Sequence, residues 1–395
     1  MDCTKAVFIQ RRSGPGNSAI AGLSDIVRQF DLAGDYDSAD VFGTGHIHDT
    51  FLLSSSTARA GQRYILQRLN RNVFKDPDVL MSNVVRVLEH IQNKIDRQDG
   101  RNDDRCLSLV KTRSGDSFYK DDAGDCWRIY DFVEGAETAN RVESSGQAFE
   151  AAAAFGRFQA MLVDFPDPPL QEVIKDFHNT PVRFQQFEES LQRDAENRAR
   201  LCQPEIAVAR ELAESAGELV SLQESGAAPL RVVHSDTKIN NVMFDKATGK
   251  AVCVIDLDTV MPGLSLYDFG DLVRTACGSA GEDERDSSKI SVRLDIFAAL
   301  VDGYLSTAGS ILNAAELANL HRCGRVITAE TGVRFLTDFL DGDRYFRVSK
   351  LYQNLIRCRA QFALVASLDK HERAMKDIVV TAVKKAGLAA DLPRA

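Results

Sequence analysis

The forty residues VVHSDTKINNVMFDKATGKAVCVIDLDTVMPGLSLYDFGD, positions 232–271, constrain the chain more than any other stretch. An apolar strand end at 230–233 runs into a polar loop bearing His234, Asp236, Lys238 and Asn241. A turn at Ala247-Thr248-Gly249 follows, and then a second apolar run, 251–257, predicted as a strand that delivers Asp256 and Asp258. Phosphoryl transfer from a nucleotide asks for this set of groups. One carboxylate orients and deprotonates an acceptor hydroxyl, an amide oxygen holds Mg²⁺, and a carboxylate from a neighbouring strand completes the metal site. Each residue alone reads more simply as a turn or cap residue. The joint order, His-x-Asp-x4-Asn, strand, Asp-x-Asp, carries the inference.

Asp236 and Asn241 have the spacing of the protein-kinase catalytic loop, with Lys238 two residues after the Asp and His234 two before it. The string HSDTKINN followed by VIDLD resembles the aminoglycoside phosphotransferase and choline kinase superfamily. Together with Gly43-Thr-Gly-His-Ile-His-Asp-Thr50, IDLDTVMPGLSLYDFGD and Arg334-Phe-Leu-Thr-Asp338, it is similar to the bacterial N-acetylhexosamine 1-kinases, over residues 42–362. The resemblance implies an α+β, bilobal protein-kinase-like fold. An N-terminal antiparallel β lobe with one long helix (1–134) would precede a larger, mainly helical C-terminal lobe (135–395). ATP and Mg²⁺ would be the cofactors and a small sugar the acceptor. Asp236 would be the base, with Lys238 and His234 in support, and Asn241, Asp256 and Asp258 would hold the metal. Tyr267-Asp-Phe-Gly-Asp271 would open a helix in which Asp268 buttresses the loop, the metal-binding place being already filled by Asp256.

Ahead of this stretch, apolar spacing predicts a helix over 20–32, β-like runs at 40–42, 50–54 and 62–69, and a long helix over 76–95. The turn joining the first two strands holds Gly43, Thr44 and Gly45, whose backbone N–H groups are candidates for nucleotide phosphates. His46 and Asp49 close the same turn as candidates for sugar or phosphate contact. Arg68 falls where protein kinases carry the strand-three lysine. Its permanently charged fork suits phosphate oxygens, with Gln67 competing for the place and Glu89 a candidate ion-pair partner. Strands are predicted at 107–112 and 126–133. The resemblance places adenine against the backbone of Asp131, Phe132 and Val133.

Beyond residue 137 the pattern turns helical, with helices predicted over 145–162, 177–201, 205–225, 266–275, 292–306, 314–340 and 345–386 and a mobile loop over 278–288. The group Arg334, Asp338, Asp343, Arg344 and Tyr345 mixes planar polar side chains with an aromatic ring, as neutral-sugar sites do. The resemblance makes Arg334, Asp338, Asp343 and Tyr345 part of the sugar pocket, beside a salt-bridged helix junction as the plainer reading.

A formal charge of −9 over 395 residues argues against nucleic acid or anionic membrane as the main partner. The eight cysteines are scattered, without zinc spacing, as in a reducing cytosol. No run of about 18 apolar residues occurs and the first residues lack a secretory pattern, so a cytoplasmic protein is expected. Three functions remain open at this point: a sugar 1-kinase, a kinase for an aminoglycoside, choline or amino-alcohol, and an inactive nucleotide-binding module.

Overall fold

Residues 62–69 carry the apolar run Tyr64-Ile65-Leu66 between polar pairs, and it is realised as one strand of an antiparallel sheet, with Tyr64 and Leu66 buried on one face and Ile65 and Gln67 half-buried. The computed structural model describes residues 20–34, 36, 38–43, 47–54, 62–97 and 105–388. The chain divides into two compact units, residues 1–70 with 109–132, and residues 71–108 with 133–395.

The first unit contains helix α1 (Ile20–Val27) and strands β1 (Ser38–Val41), β2 (Asp49–Ser54), β3 (Tyr64–Arg68), β4 (Leu109–Val110), β5 (Tyr119–Lys120) and β6 (Cys126–Asp131). They form one sheet in the order β1-β2-β3-β6-β4, with β5 also on β6. Register sets Asp49 opposite Arg68, and Tyr64 opposite Asp131. Phe30, Leu53, Tyr64, Leu66, Trp127 and Ile129 make its core. The helix predicted over 20–32 ends at Val27, and Phe30 instead forms an isolated bridge with Thr112. Strand β5 lies inside what reads in sequence as a plain charged hairpin, because two residues offer no period to detect.

The second unit opens with α2 (Pro77–Arg97), whose Leu80, Val84, Val87, Leu88 and Ile91 form the buried stripe that the sequence spacing predicts. There follow β7 (Ala136–Thr138), α3 (Ser145–Met161), α4 (Thr180–Arg193), α5 (Gln203–Ala213), α6 (Glu218–Glu224), β8 (Arg231–Val233), β9 (Val242–Asp245), β10 (Ala251–Val254), β11 (Met261–Gly263), α7 (Ser265–Ala276), α8 (Leu294–Ala308), α9 (Ala314–Leu340) and α10 (Gln353–Lys385). Strands β10, β9 and β7 make one small sheet, and β11 pairs with β8 in another.

The two long helices predicted over 177–201 and 205–225 are broken. Asp194 ends α4 in a left-handed conformation, φ 36°, and its Oδ1 accepts from Arg198 and Ala199 N–H at 2.8 and 3.0 Å. This bonding caps the chain locally and wins over helical periodicity. Residues 214–217 separate α5 from α6 in the same region. The last helix starts at Gln353 rather than 345, since residues 343–346 are held as a loop by Asp338. The loop predicted as mobile at 278–288 is pinned. Glu282 bonds Arg274 at 2.9 Å, and Asp283 bonds Arg357 and Gln353 at 3.0 Å each.

Helix α9 begins with a capping box. Asn313 Oδ1 accepts from Glu316 N–H, and Glu316 Oε2 accepts from Asn313 N–H, both at 2.9 Å. Buried Glu316 also takes Arg231 of β8 at 2.9 Å, so the start of α9 anchors the strand that leads into the 234–241 loop. Helices α7 and α9 cross closely at Gly270. A Cβ there would lie 2.7 Å from Cys323 O and 2.8 Å from Ile327 Cγ1. Gly270→Ala is therefore expected to lower unfolding free energy by about 1–3 kcal/mol. Urea unfolding checks this, and a midpoint at the wild-type value would refute the close crossing.

Candidate functional site

The 234–241 loop leaves β8 and is tied down from several directions. His234 is fully buried, edge-on to Phe155 and Phe158. Its Nδ1 accepts from Asp236 N–H at 3.3 Å and its Nε2 faces Ile255 O at 3.0 Å, which fixes the tautomer with the proton on Nε2. Ser235 takes φ +65°, a left-handed conformation uncommon for a non-glycine residue. Both ends of this strained step are held. Asp268 Oδ2 accepts from His234 N–H at 2.9 Å and Oδ1 from Ser235 N–H at 2.7 Å, while His178 Nε2 meets Ser235 O at 3.1 Å. Thr237 Oγ1 donates to Asp268 O, Thr259 Oγ1 to His234 O, and Gln159 Nε2 to Asp268 Oδ2. The helix-start aspartate thus buttresses the loop through backbone bonds, as its place in the sequence suggests.

Asp236 projects from this frame with 21% of its side chain exposed. Its Oδ2 accepts from Lys238 Nζ at 2.8 Å and from Asn241 Nδ2 at 3.1 Å. Burial pushes this carboxyl up, but the charge and hydrogen bond of Lys238, with a further share from Arg274, outweigh burial and hold it below its ordinary value. Burial likewise acts against the charge on Lys238, and Asp236 and Asp256 more than restore it, so the ammonium is pushed up.

The strand predicted over 251–257 ends at Val254. Asp256 sits just beyond it at φ 62°, ψ 60°, and Leu257–Thr259 form a single 3₁₀ turn. The strand gives way because Ile255 turns its backbone to the loop. Ile255 N–H donates to Asn241 O at 2.9 Å while Ile255 O meets His234. This ties the residue just before Asp256 to Asn241. Asn241 spends its Nδ2 on Asp236 O and Oδ2, at 2.7 and 3.1 Å, which assigns its Oδ1 to any cation. Asp258 is buried.

Among the described residues no group of three or more His, Cys, Asp or Glu is gathered as a metal cage. One amide oxygen and one or two carboxylates are what Mg²⁺ uses when phosphate oxygens and water supply the rest, so the donor set fits that ion.

A second cluster lies along α9. Arg334 is flanked by the rings of Phe177, Phe346 and Tyr345, at 4.9, 5.6 and 5.8 Å. Its guanidinium donates no hydrogen bond to any described residue. Arg183, whose Nε and Nη2 donate to Phe177 O, is pushed below its ordinary value by burial and by the Arg334 charge. Asp338 accepts from Arg344, Tyr345 and Phe346 N–H at 2.8, 2.7 and 2.9 Å and from Asn354 Nδ2 at 2.8 Å. Asp343 takes Arg198 at 2.5 Å and Asn354 at 2.9 Å. Both aspartates thus build the loop that presents Tyr345, itself 49% exposed.

In the first unit, Arg68 is taken by Asp49 through Nε at 2.9 Å and Nη2 at 2.5 Å, and by Asp125 at 3.1 Å. Gln67 bonds Thr50 and Arg128 instead. Gly43 has φ +76°, as a turn needs. Thr44, Gly45 and His46 lie outside the described residues. Phe132 donates its N–H to Arg63 O at 3.0 Å directly after β6 ends at Asp131, and Val133 begins the second unit.

Sequence reasoning did not single out Phe177, His178, Arg183, Arg274 or Glu330 for this site. Arg183, Arg274 and Glu330 read as the solvated face of helical runs, and Phe177 and His178 as ordinary members of the helix predicted over 177–201. Their pairing spans up to 152 residues of chain and leaves no local trace.

Residues 39–298 match the model of the phosphotransferase enzyme family. Among solved structures, the chain is similar to a microcompartment-associated aminopropanol kinase, with 14% identity over 90% of this chain and 98% of that one and a TM-score of 0.61. It is also similar to an aminoglycoside phosphotransferase from Alicyclobacillus acidocaldarius (13% identity, 96% and 99% covered, TM-score 0.58). A spectinomycin phosphotransferase in complex with ADP and spectinomycin matches at 11% identity, with 89% and 98% covered and a TM-score of 0.56. At these identities the likeness shows a shared fold. Among the described residues no helix is long and apolar enough to cross a membrane.

Proposed function

Because this chain belongs to the phosphotransferase enzyme family, we propose that it is the anomeric hydroxyl of an N-acetylhexosamine that it phosphorylates, at the expense of ATP. Asp236 orients the hydroxyl and receives its proton as the oxygen bonds to the γ-phosphorus. The bond to the bridging oxygen breaks, and ADP leaves carrying that electron pair. A carboxyl held below its ordinary value is a weak base, so orientation is its larger share of the work. Lys238 offsets charge on the transferred group, and His234 holds the loop. Asn241, Asp256 and Asp258 would bind Mg²⁺, which would offset charge on the phosphates. For the nucleotide we assign Arg68 to phosphate oxygens and the backbone of Asp131–Val133 to adenine.

The observation that carries the acceptor is Arg334 in its frame of rings. Beside Arg183 it makes a cationic, aromatic wall, which repels an aminoglycoside, choline or an amino-alcohol and suits a neutral sugar with a carbonyl to receive N–H donors. Purified protein with Mg²⁺-ATP is tested on GlcNAc, GalNAc, glucose, choline, kanamycin and aminopropanol, following ADP release and ³¹P NMR. An anomeric phosphate on an N-acetylhexosamine is expected, and turnover confined to the cationic acceptors would overturn the assignment.

Arg334→Ala should raise the acceptor KM about 10–100-fold, the worth of a hydrogen bond to a charged group, with the ATP KM unchanged. Equal rises in both constants would show that Arg334 acts on the fold instead. Excess EDTA should abolish turnover and added Mg²⁺ restore it. Activity that survives chelation would remove the metal role from Asn241, Asp256 and Asp258.

A further inference from the structure

His178 is buried, yet both of its ring nitrogens face oxygen acceptors. Nδ1 lies 2.9 Å from Glu330 Oε1 and Nε2 lies 3.1 Å from Ser235 O. A carbonyl oxygen only accepts, so Nε2 must carry a proton. Glu330, with no exposed surface, takes Thr180 Oγ1–H at 2.7 Å on its other oxygen. With one oxygen already accepting, its Oε1 is best used as a second acceptor, which places a proton on Nδ1 as well. The ring of Tyr267 packs over the imidazole at 5.1 Å between centroids, and Phe177 meets its edge at 4.7 Å.

We propose that His178 and Glu330 form a buried imidazolium–carboxylate pair that positions Asp236 by gripping the carbonyl of Ser235. The proposal rests on the reading that Asp236 handles the acceptor proton. Ser235 is the step that needs gripping, since its left-handed backbone is strained and persists only where neighbours over-determine it. Asp268 holds the amide side of that step and His178 the carbonyl side, from separate segments of the chain. His178 and Glu330 are positioning residues, acting through Ser235.

Electrostatics agrees with the charged pair. Burial works against the charge on His178, and Glu330 outweighs it, so the imidazole is pushed up. Burial pushes the Glu330 carboxyl up in turn, and His178 and Arg334 bring it below its ordinary value. The charged or titratable groups around the pair are Asp271 and Tyr267 on α7, Arg334 on α9 and Arg183 on α4.

The sign of the pH dependence follows. The contribution of His178 is complete below the ordinary histidine value of about 6.5 and is lost as pH rises through its raised value. The contribution of Glu330 is present above about 4.3 and is lost as pH falls through its lowered value. The pair therefore gives a fall in kcat as pH rises through the raised His178 value, which His178→Gln removes.

The test uses the full chain with ¹⁵N-labelled histidine, above a pH of about 7.5, where an ordinary imidazole is neutral. Both ring nitrogens of His178 should carry protons, with the signal identified by its loss in His178→Gln. Glu330→Gln, which keeps the side-chain volume, should return His178 to a single ring proton. In either variant kcat should fall about 10–100-fold with the ATP KM unchanged. The double variant should lose no more than the larger single loss. A singly protonated His178 in the wild type overturns the proposal, as does a folded variant whose kcat stays within twofold of wild type.

If the wild type turns over none of the acceptors, the acceptor reading has failed and the pair is judged separately. Ring protonation together with displaced Ser235 and Asp236 amide signals in Glu330→Gln would sustain it. Their absence would overturn it.

Discussion

Asp236→Asn is expected to reduce kcat by about 10²–10⁴-fold while the protein stays folded. The fold survives because Asn241 Nδ2 keeps its 2.7 Å bond to the backbone oxygen of residue 236, and His234 Nδ1 keeps its bond to the same residue's N–H. What disappears is the oxygen that Lys238 and Asn241 share, together with the negative charge that Lys238 faces. An amide at this place can orient a hydroxyl weakly but cannot take its proton. Turnover by coupled ADP release, beside a thermal melt, checks the prediction. A variant that keeps more than about a tenth of wild-type kcat would move the chemistry to another group. The acid limb of the wild-type profile should lie below the usual aspartate value of about 3.9, because the carboxyl is held low and its deprotonated form persists to that point.

The second large effect is on stability. Asp268→Asn should cost about 2–6 kcal/mol, because an amide nitrogen would face a backbone N–H where an acceptor now stands, leaving two buried donors unsatisfied at about 1–3 kcal/mol each. Asp268 is buried and accepts from His234 N–H, Ser235 N–H and Gln159 Nε2. Gln159 Oε1 in turn accepts from Tyr304 Oη–H at 2.6 Å, so the change propagates into the main core. Urea unfolding of the two variants separates the roles. Asp236→Asn should lose activity at full stability, and Asp268→Asn should lose both together. A stable but inactive Asp268→Asn protein would give that residue a part in the chemistry that its bonds do not suggest.

Much of the site was legible because its parts are close in sequence. The loop from His234 to Asn241 and the aspartates after β10 fall within one stretch, and residue type alone narrows their chemistry. The long helices α2 and α9 were legible from spacing, and α9 even carries its own start signal at Asn313 and Glu316. Strands β7, β9 and β11 were not. Each has three or four residues, too few to show a period, and β7 and β11 are paired with strands well removed in sequence, β9 and β8. The premature end of β10 was hidden for a related reason, since an apolar run says nothing of Ile255 turning to bond Asn241 and His234. Asp338 and Asp343 show the opposite limit. Their residue type suits sugar binding, yet their oxygens are engaged by the loop and by Arg198 and Asn354.

One turn of α9 separates Glu330 from Arg334. The same rigid rod therefore carries, four residues apart, the carboxylate that reaches the strained Ser235 step through His178 and the guanidinium that we assign to the acceptor. An engineer who retunes this protein for a new alcohol by shifting or rebuilding that rod will move the reacting carboxylate as well. On these assignments, selectivity and turnover are expected to change in step unless His178 is re-seated in the same design.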